Sequence, residues 1–181
     1  VLSQNEAGNP NYYFFTQLKS VAIGIILFFI GLRLDYRFWR KIAPVLMIVS
    51  IIALIAVFLP GIGVERNGAH RWLYLGFMQF QPSELAKLAL IIYLAAWFEN
   101  KGTEVKNLFS STLPFILILG LVGGLVIKEP DMGTTVILSL VAGVIYFVAG
   151  ARMFQVLGMI ASVVALAWYL IKSAPYRMSR F

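Results

Sequence analysis

The sequence predicts an all-α protein, a polytopic transmembrane helix bundle, and three observations carry that prediction. Of 181 residues, 60% are hydrophobic and only 13% are charged, with a mean hydropathy of +0.85. An ordinary soluble domain is about 45–50% apolar and about 25% charged, so this composition cannot cover itself with a water-soluble surface. The apolar residues also gather into six runs, each near the roughly 20 residues that a helix needs to cross hydrocarbon. Finally, the runs are apolar on every side, whereas barrel strands would alternate. Disorder and a coiled coil are excluded by the same figures, and a disulfide scaffold by the absence of cysteine.

Taken in order, the predicted spans are Leu18–Leu34, Ile42–Ile62, Glu84–Phe98, Leu108–Ile127, Met132–Gly150 and Met153–Ile171. The second is rich in Ile and Val, which would suggest a strand in water, but a run of this length interrupted only by Ser50 is a helix in lipid. The third is the least regular, because Glu84 and Lys87 fall in its first turns. Glycines at 120, 123, 124, 143 and 150 are read as sites of close helix approach. Residues 1–181 are expected to form a single membrane domain. The chain starts at Val1 in a polar stretch with no signal peptide and stops at Phe181 in another, so both ends read as cut from something longer.

If all six runs cross, the compact basic loop Asp35–Lys41, the mixed-charge loop Glu99–Lys106 and the tight turn Ala151-Arg152 share one side. The other side receives residues 1–17, the long loop 63–83, the turn Lys128–Asp131 and the tail 172–181. The net charge is +7. Its basic residues divide almost evenly between the sides, so the raw count does not orient the chain. Local density does: Arg33, Arg37, Arg40 and Lys41 lie close together, which makes that side cytoplasmic. The basic excess opposite them calls for an anionic group there. The charge is assigned to loops, anionic lipid and phosphate groups, with no nucleic-acid partner.

Three polar features converge on the second side. Asn67-Gly68 is a turn signal, and Arg71-Trp72 suits an interface, with guanidinium toward phosphate and indole at headgroup depth. The structural alternative is an aromatic anchor with a snorkelling arginine. His70 is read as a loop histidine, and as the chain's single histidine it excludes a multi-His metal site. Next comes Gln81-Pro82-Ser83-Glu84-Leu85-Ala86-Lys87, where Pro82 and Glu84 suit a helix start. Lys87 would stand about 9 Å along that helix, on one face with Glu84. Either it snorkels in a purely structural pair or it faces a polar cavity, and the cavity is favoured, since charge at membrane depth is a functional signal. The third feature is Lys128-Glu129-Pro130-Asp131. Its acids serve either to cap the fifth span or, on the Asp131 side, to balance Lys87. No phosphate-binding glycine loop, dinucleotide fingerprint or zinc-hydrolase motif occurs.

In order and spacing, the blocks Asn67–Trp72, Gln81–Leu88, Glu129–Thr135 and Ala149–Arg152 resemble the SEDS family (shape, elongation, division, sporulation), which includes FtsW, RodA and SpoVE. The resemblance covers almost the whole chain, and Gln-Pro-Ser-Glu-x-x-Lys is its most specific element. It implies a multi-pass enzyme of the bacterial cytoplasmic membrane with about ten helices, of which this chain would hold the second to seventh. The implied activity is peptidoglycan glycosyltransferase: polymerisation of lipid II, the undecaprenyl-pyrophosphate-linked disaccharide-pentapeptide, at the outer face, for cell shape or cell division. The implied partner is a class B penicillin-binding protein. Loop 63–83 would then be extracellular, and 172–181 would begin a large extracellular loop.

The resemblance assigns Arg71, Gln81, Glu84, Lys87 and Asp131 to the cavity that binds substrate. Lys87 and Arg71 would face pyrophosphate, while Asp131 and Glu84 would hold Lys87 or bind a divalent cation. The family's proposed catalytic Asp lies in the loop after the seventh helix, so the catalytic base is expected beyond Phe181 and the fragment alone is expected to be inactive. His70 stands where the family often has another basic or a small residue. Two other readings compete: a flippase for the lipid-linked precursor, and a non-catalytic scaffold for a penicillin-binding protein.

Overall fold

The computed structural model describes residues 12–59, 62–66, 69–74 and 79–172. It divides into two units, Val1–Trp39 and Arg40–Phe181. In the first unit α1 (Tyr12–Arg33) carries an apolar surface that stays exposed from Phe14 to Leu32. A turn follows in which Asp35 accepts the Arg37 N–H at 2.8 Å, capping the start of α2 (Tyr36–Ala56).

In the second unit α2 ends six residues earlier than its hydropathy implies. Phe58 and Leu59 donate to the carbonyls of Ile55 and Ala56 in a tight turn, and Pro60 follows, which disfavours helix at the residue before it. The loop 63–83 forms a small antiparallel sheet that the hydropathy reading did not foresee: β1 (Gly63–Arg66), β2 (Ala69–Tyr74) and β3 (Gln79–Phe80), in that order. Pairing runs out to Arg66 opposite Ala69. The predicted Asn67-Gly68 turn lies between them, outside the described residues.

From β3 the chain enters α3 (Pro82–Lys101), with Pro82 in the first turn, where its missing N–H is harmless. Gly102, at φ +50, ends that helix, and a 3-10 turn, Gly102–Lys106, follows. The Asn107 side chain then accepts the N–H groups of Phe109 and Ser110 and opens a π-helical turn, Leu108–Thr112. This turn runs directly into α4 (Leu113–Lys128). Asp131 caps α5 (Met132–Val148), and Gln155 sits in the first turn of α6 (Met153–Lys172). The six helices fall on the six predicted runs, with ends moved by up to six residues.

The core lies where α3, α4 and α5 meet. Leu90, Leu94, Val122, Val126, Leu138 and Ala142 are buried there, and Phe115 stacks on Tyr146 at 4.6 Å between centroids. Gly143 belongs to a close approach, since a Cβ there would come within 2.8 Å of the Met159 methyl. Gly120, Gly123 and Gly124 do not, because nothing lies within 4 Å of where their Cβ atoms would stand. The outer faces keep Leu117, Leu140, Val144 and Leu157 exposed, an apolar surface that water would not favour.

Among the described residues, two helical stretches are long and apolar enough by themselves to cross a bilayer, Tyr36–Ala56 and Leu108–Lys128. α5 is a shorter apolar helix, and its 17 residues rise only about 25 Å. α3 carries Glu84, Lys87, Glu99 and Lys101 toward the two ends of a mostly apolar sequence.

Candidate functional site

Arg71 is delivered by β2, the central strand of the small sheet. Its Nε donates to the Glu129 carbonyl at 2.7 Å, and a second guanidinium nitrogen donates to the Pro130 carbonyl. One side chain thereby clamps the loop sheet onto the α4–α5 turn. A planar guanidinium has five N–H donors in a fixed fork, so the contact leaves Arg71 with donors to spare.

Gln81 stands at the N-cap position of α3, with extended backbone, and its side chain makes no cap. The amide donates instead to Asp131 Oδ2 at 3.3 Å. Asp131 also accepts from Thr134 N–H at 3.1 Å through Oδ1 and from the Thr134 hydroxyl at 2.9 Å through Oδ2. Asp131 is therefore both the N-cap of α5 and the partner of α3.

Lys87 pairs with Glu84 at 2.7 Å, and its side chain is 24% exposed against 57% for Glu84. Its stem borders a small apolar cavity of about 50 Å³ between α3 and α5, beside Leu90, Leu138 and Val141. No hydrogen bond or ion pair among the described residues joins Lys87 to Asp131. The counter-charge for Lys87 is Glu84. The predicted site thus falls into two adjoining sets: Arg71, Gln81 and Asp131 around the α4–α5 turn, and the Glu84–Lys87 pair in the first two turns of α3. Both predicted cation-holding carboxylates already have protein donors, and no group of three or more His, Asp and Glu converges among the described residues.

The structure adds a residue that sequence reasoning treated only as a flanking acid. Glu129 is fully buried, and neither carboxylate oxygen has a hydrogen-bond partner. Burial pushes its pKa up to about 8, the neighbouring Asp131 charge adds to the rise, and Arg71 partly offsets it. The group is therefore mostly a neutral acid at pH 7. A signal was present in the sequence: an acid at the C-terminal end of an apolar run opposes the helix dipole, where a cation is usual.

Comparison with known proteins covers nearly the whole chain. The family model described as cell cycle protein, FtsW/RodA/SpoVE, matches residues 1–181. A probable peptidoglycan glycosyltransferase FtsW of Nitrosococcus halophilus is 36% identical over 99% of this chain and 46% of its own length. One from Geobacter sp. strain M18 is 37% identical over 93% of this chain and 46% of its own. Among solved structures, the rod shape determining protein RodA of Thermus thermophilus superposes with a TM-score of 0.72 at 30% identity, over 87% of this chain and 51% of that one. A chain from a peptidoglycan synthase complex, described as coordinating polymerization and crosslinking, gives 0.75 at 28% identity, over 98% and 52%. The chain spans about half the length of the relatives it matches. Its helices, its sequence blocks and these likenesses agree: the chain belongs to the FtsW/RodA/SpoVE family of cell cycle proteins.

Proposed function

We propose that this chain forms the substrate-binding half of a peptidoglycan glycosyltransferase, a multi-pass protein of the bacterial cytoplasmic membrane that polymerises lipid II at the outer face. One observation carries the reading: Arg71 fastens the loop sheet to the α4–α5 turn, which gathers Arg71, Gln81 and Asp131 beside the first turns of α3, where Lys87 stands. Two cations at the end of a helix bundle suit a pyrophosphate leaving group. Such charges act on the transition state as negative charge develops on the departing oxygen.

On this reading Lys87 and Arg71 hold the pyrophosphate. Glu84 keeps Lys87 extended, and Asp131 with Gln81 fixes the α3–α5 spacing. The acceptor sugar's 4-hydroxyl must lose a proton to a carboxylate as it attacks. Asp131 is occupied by three donors, and the base is proposed, on the family resemblance, to come from a part of the intact protein outside this chain. A class B penicillin-binding protein is the proposed crosslinking partner, in keeping with the synthase complex that one matched chain comes from.

The test is lipid II polymerisation by the intact purified protein carrying Lys87→Ala or Asp131→Ala. Each variant is expected to lose activity by about 10²–10³-fold while its expression and membrane insertion persist. Wild-type polymerisation in both variants would overturn the assignment.

A further inference from the structure

The opposite end of α3–α6 holds a second feature that the glycosyltransferase reading does not use. An open cavity of about 630 Å³ lies there, its lining including Thr103, Glu104, Lys106, Asn107, Ser110 and Arg152. Beside it runs an apolar groove of about 510 Å³, which starts at Leu108 and Phe154 and continues past Gly120, Gly123 and Val163. Leu108 lines both cavities. The α4 glycines that line the groove have open space in front of them.

The charges in the first cavity do not cancel. Glu104 is engaged by Lys101 at 3.7 Å. Among the described residues, Lys106 and Arg152 have no carboxylate partner, and both are exposed. Nor is their proximity accidental. The buried side chain of Gln155 accepts the Arg152 N–H at 2.9 Å and donates to the Lys106 carbonyl at 3.2 Å. One amide therefore fixes the backbone positions of both cations. The positive end of the α6 dipole lies at the same place. Phe109, 82% exposed, projects from the π-helical turn beside them.

We propose that this end of the bundle binds one anionic phospholipid, with its phosphate between Lys106 and Arg152 and an acyl chain along the α4–α6 groove. A free anion would satisfy the cations and leave the groove without a role. A neutral lipid would do the reverse. An anionic amphiphile satisfies both cavities at once. The inference stands independently of the reaction proposed above, and its test does not read polymerisation.

The experiment is native mass spectrometry of the intact protein in detergent, titrated with phosphatidylglycerol, with phosphatidylcholine and with chainless glycerol phosphate. Phosphatidylglycerol is expected to be retained in preference to phosphatidylcholine. Lys106→Gln or Arg152→Gln should each weaken retention about fivefold, and the two together about 25-fold, at the usual attraction of one basic side chain to an anionic membrane. Lys106→Arg should retain the lipid. Gly123→Leu, which fills the groove, should weaken retention of the lipid and leave glycerol phosphate unaffected. Thermal unfolding of each variant in the same detergent checks that it is folded. Equal retention of the two lipids, or wild-type retention by the folded double variant, overturns the proposal. So does glycerol phosphate binding as tightly as phosphatidylglycerol, which would make this a site for soluble anions.

Discussion

Glu129 is a carboxyl group that the fold keeps from water without giving either oxygen a partner. The consequence for stability has a definite sign. Its pKa rises from 4.5 to about 8 on folding, so between those values the folded protein holds a proton that the unfolded chain releases. The Glu129 contribution to stability is therefore fully present below pH 4.5, falls as pH rises through this window, and levels off above about 8. Glu129→Gln should remove that dependence. In thermal unfolding followed from pH 5 to 9, the variant's loss of stability with rising pH should be shallower, and at pH 9 its Tm should exceed wild type by a few degrees, on the order expected for about 1 kcal/mol. Arg71 offers a second test at this scale. Lysine keeps the charge but lacks the fork that reaches two carbonyls. Arg71→Lys should therefore raise proteolytic cleavage within 63–83 several-fold, where Arg71→Ala raises it further; wild-type cleavage by Arg71→Lys would show that the fork does not hold the loop.

At the scale of elements, Gln155 does the joining at one end and Asp131 at the other. Gln155 reaches the Arg152 N–H, the Lys106 carbonyl and the Thr112 hydroxyl, and Thr112 in turn meets the Tyr146 hydroxyl at 2.7 Å. α5, α6 and the α3–α4 connection thus share one buried polar chain. Gln155→Ala strands several of these groups at once and should cost about 1–3 kcal/mol in chemical or thermal unfolding. Gln155→Glu keeps the acceptor for Arg152 and loses the donor to Lys106, so with the same buried shape it separates the cap from the cross-link.

Hydropathy alone made these helices legible in the sequence, because a run of some 20 apolar residues has few other uses. Asp131 was legible as a cap, from the acid–Pro–acid pattern before a new run. The sheet was not, because its third strand has two residues and its pairings are long-range. The Gln155 network was also hidden. It joins positions 106, 112, 146 and 155, and no local pattern relates residues that far apart. Lys87 was correctly paired on helical spacing, whereas its expected link to Asp131 required the relative rotation of α3 and α5, which spacing does not specify.

For the whole molecule, the remaining question is which end of α3–α6 faces which side of the membrane. The loop sheet, Arg71 and the Glu129–Asp131 turn share one end. Arg40, which pairs with Glu99 at 2.7 Å, lies with the Glu99–Lys106 connection at the other. Basic residues at Arg40 and Lys41 would put that second end on the cytoplasmic side, and the proposed reaction needs the first to face outward. Both arguments give one orientation, and a single labelling experiment tests it. This chain has no cysteine of its own, so in a cysteine-free version of the intact protein a substitution at exposed Tyr74 or Thr103 reports one position. With a membrane-impermeant maleimide, Tyr74→Cys should react in cells whose outer barrier has been opened but whose cytoplasmic membrane is intact. Thr103→Cys should react only after that membrane is permeabilised. The reverse pattern would turn the bundle over, put Lys106 and Arg152 on the outer face and leave Arg71 and Lys87 with no access to an outward-facing pyrophosphate.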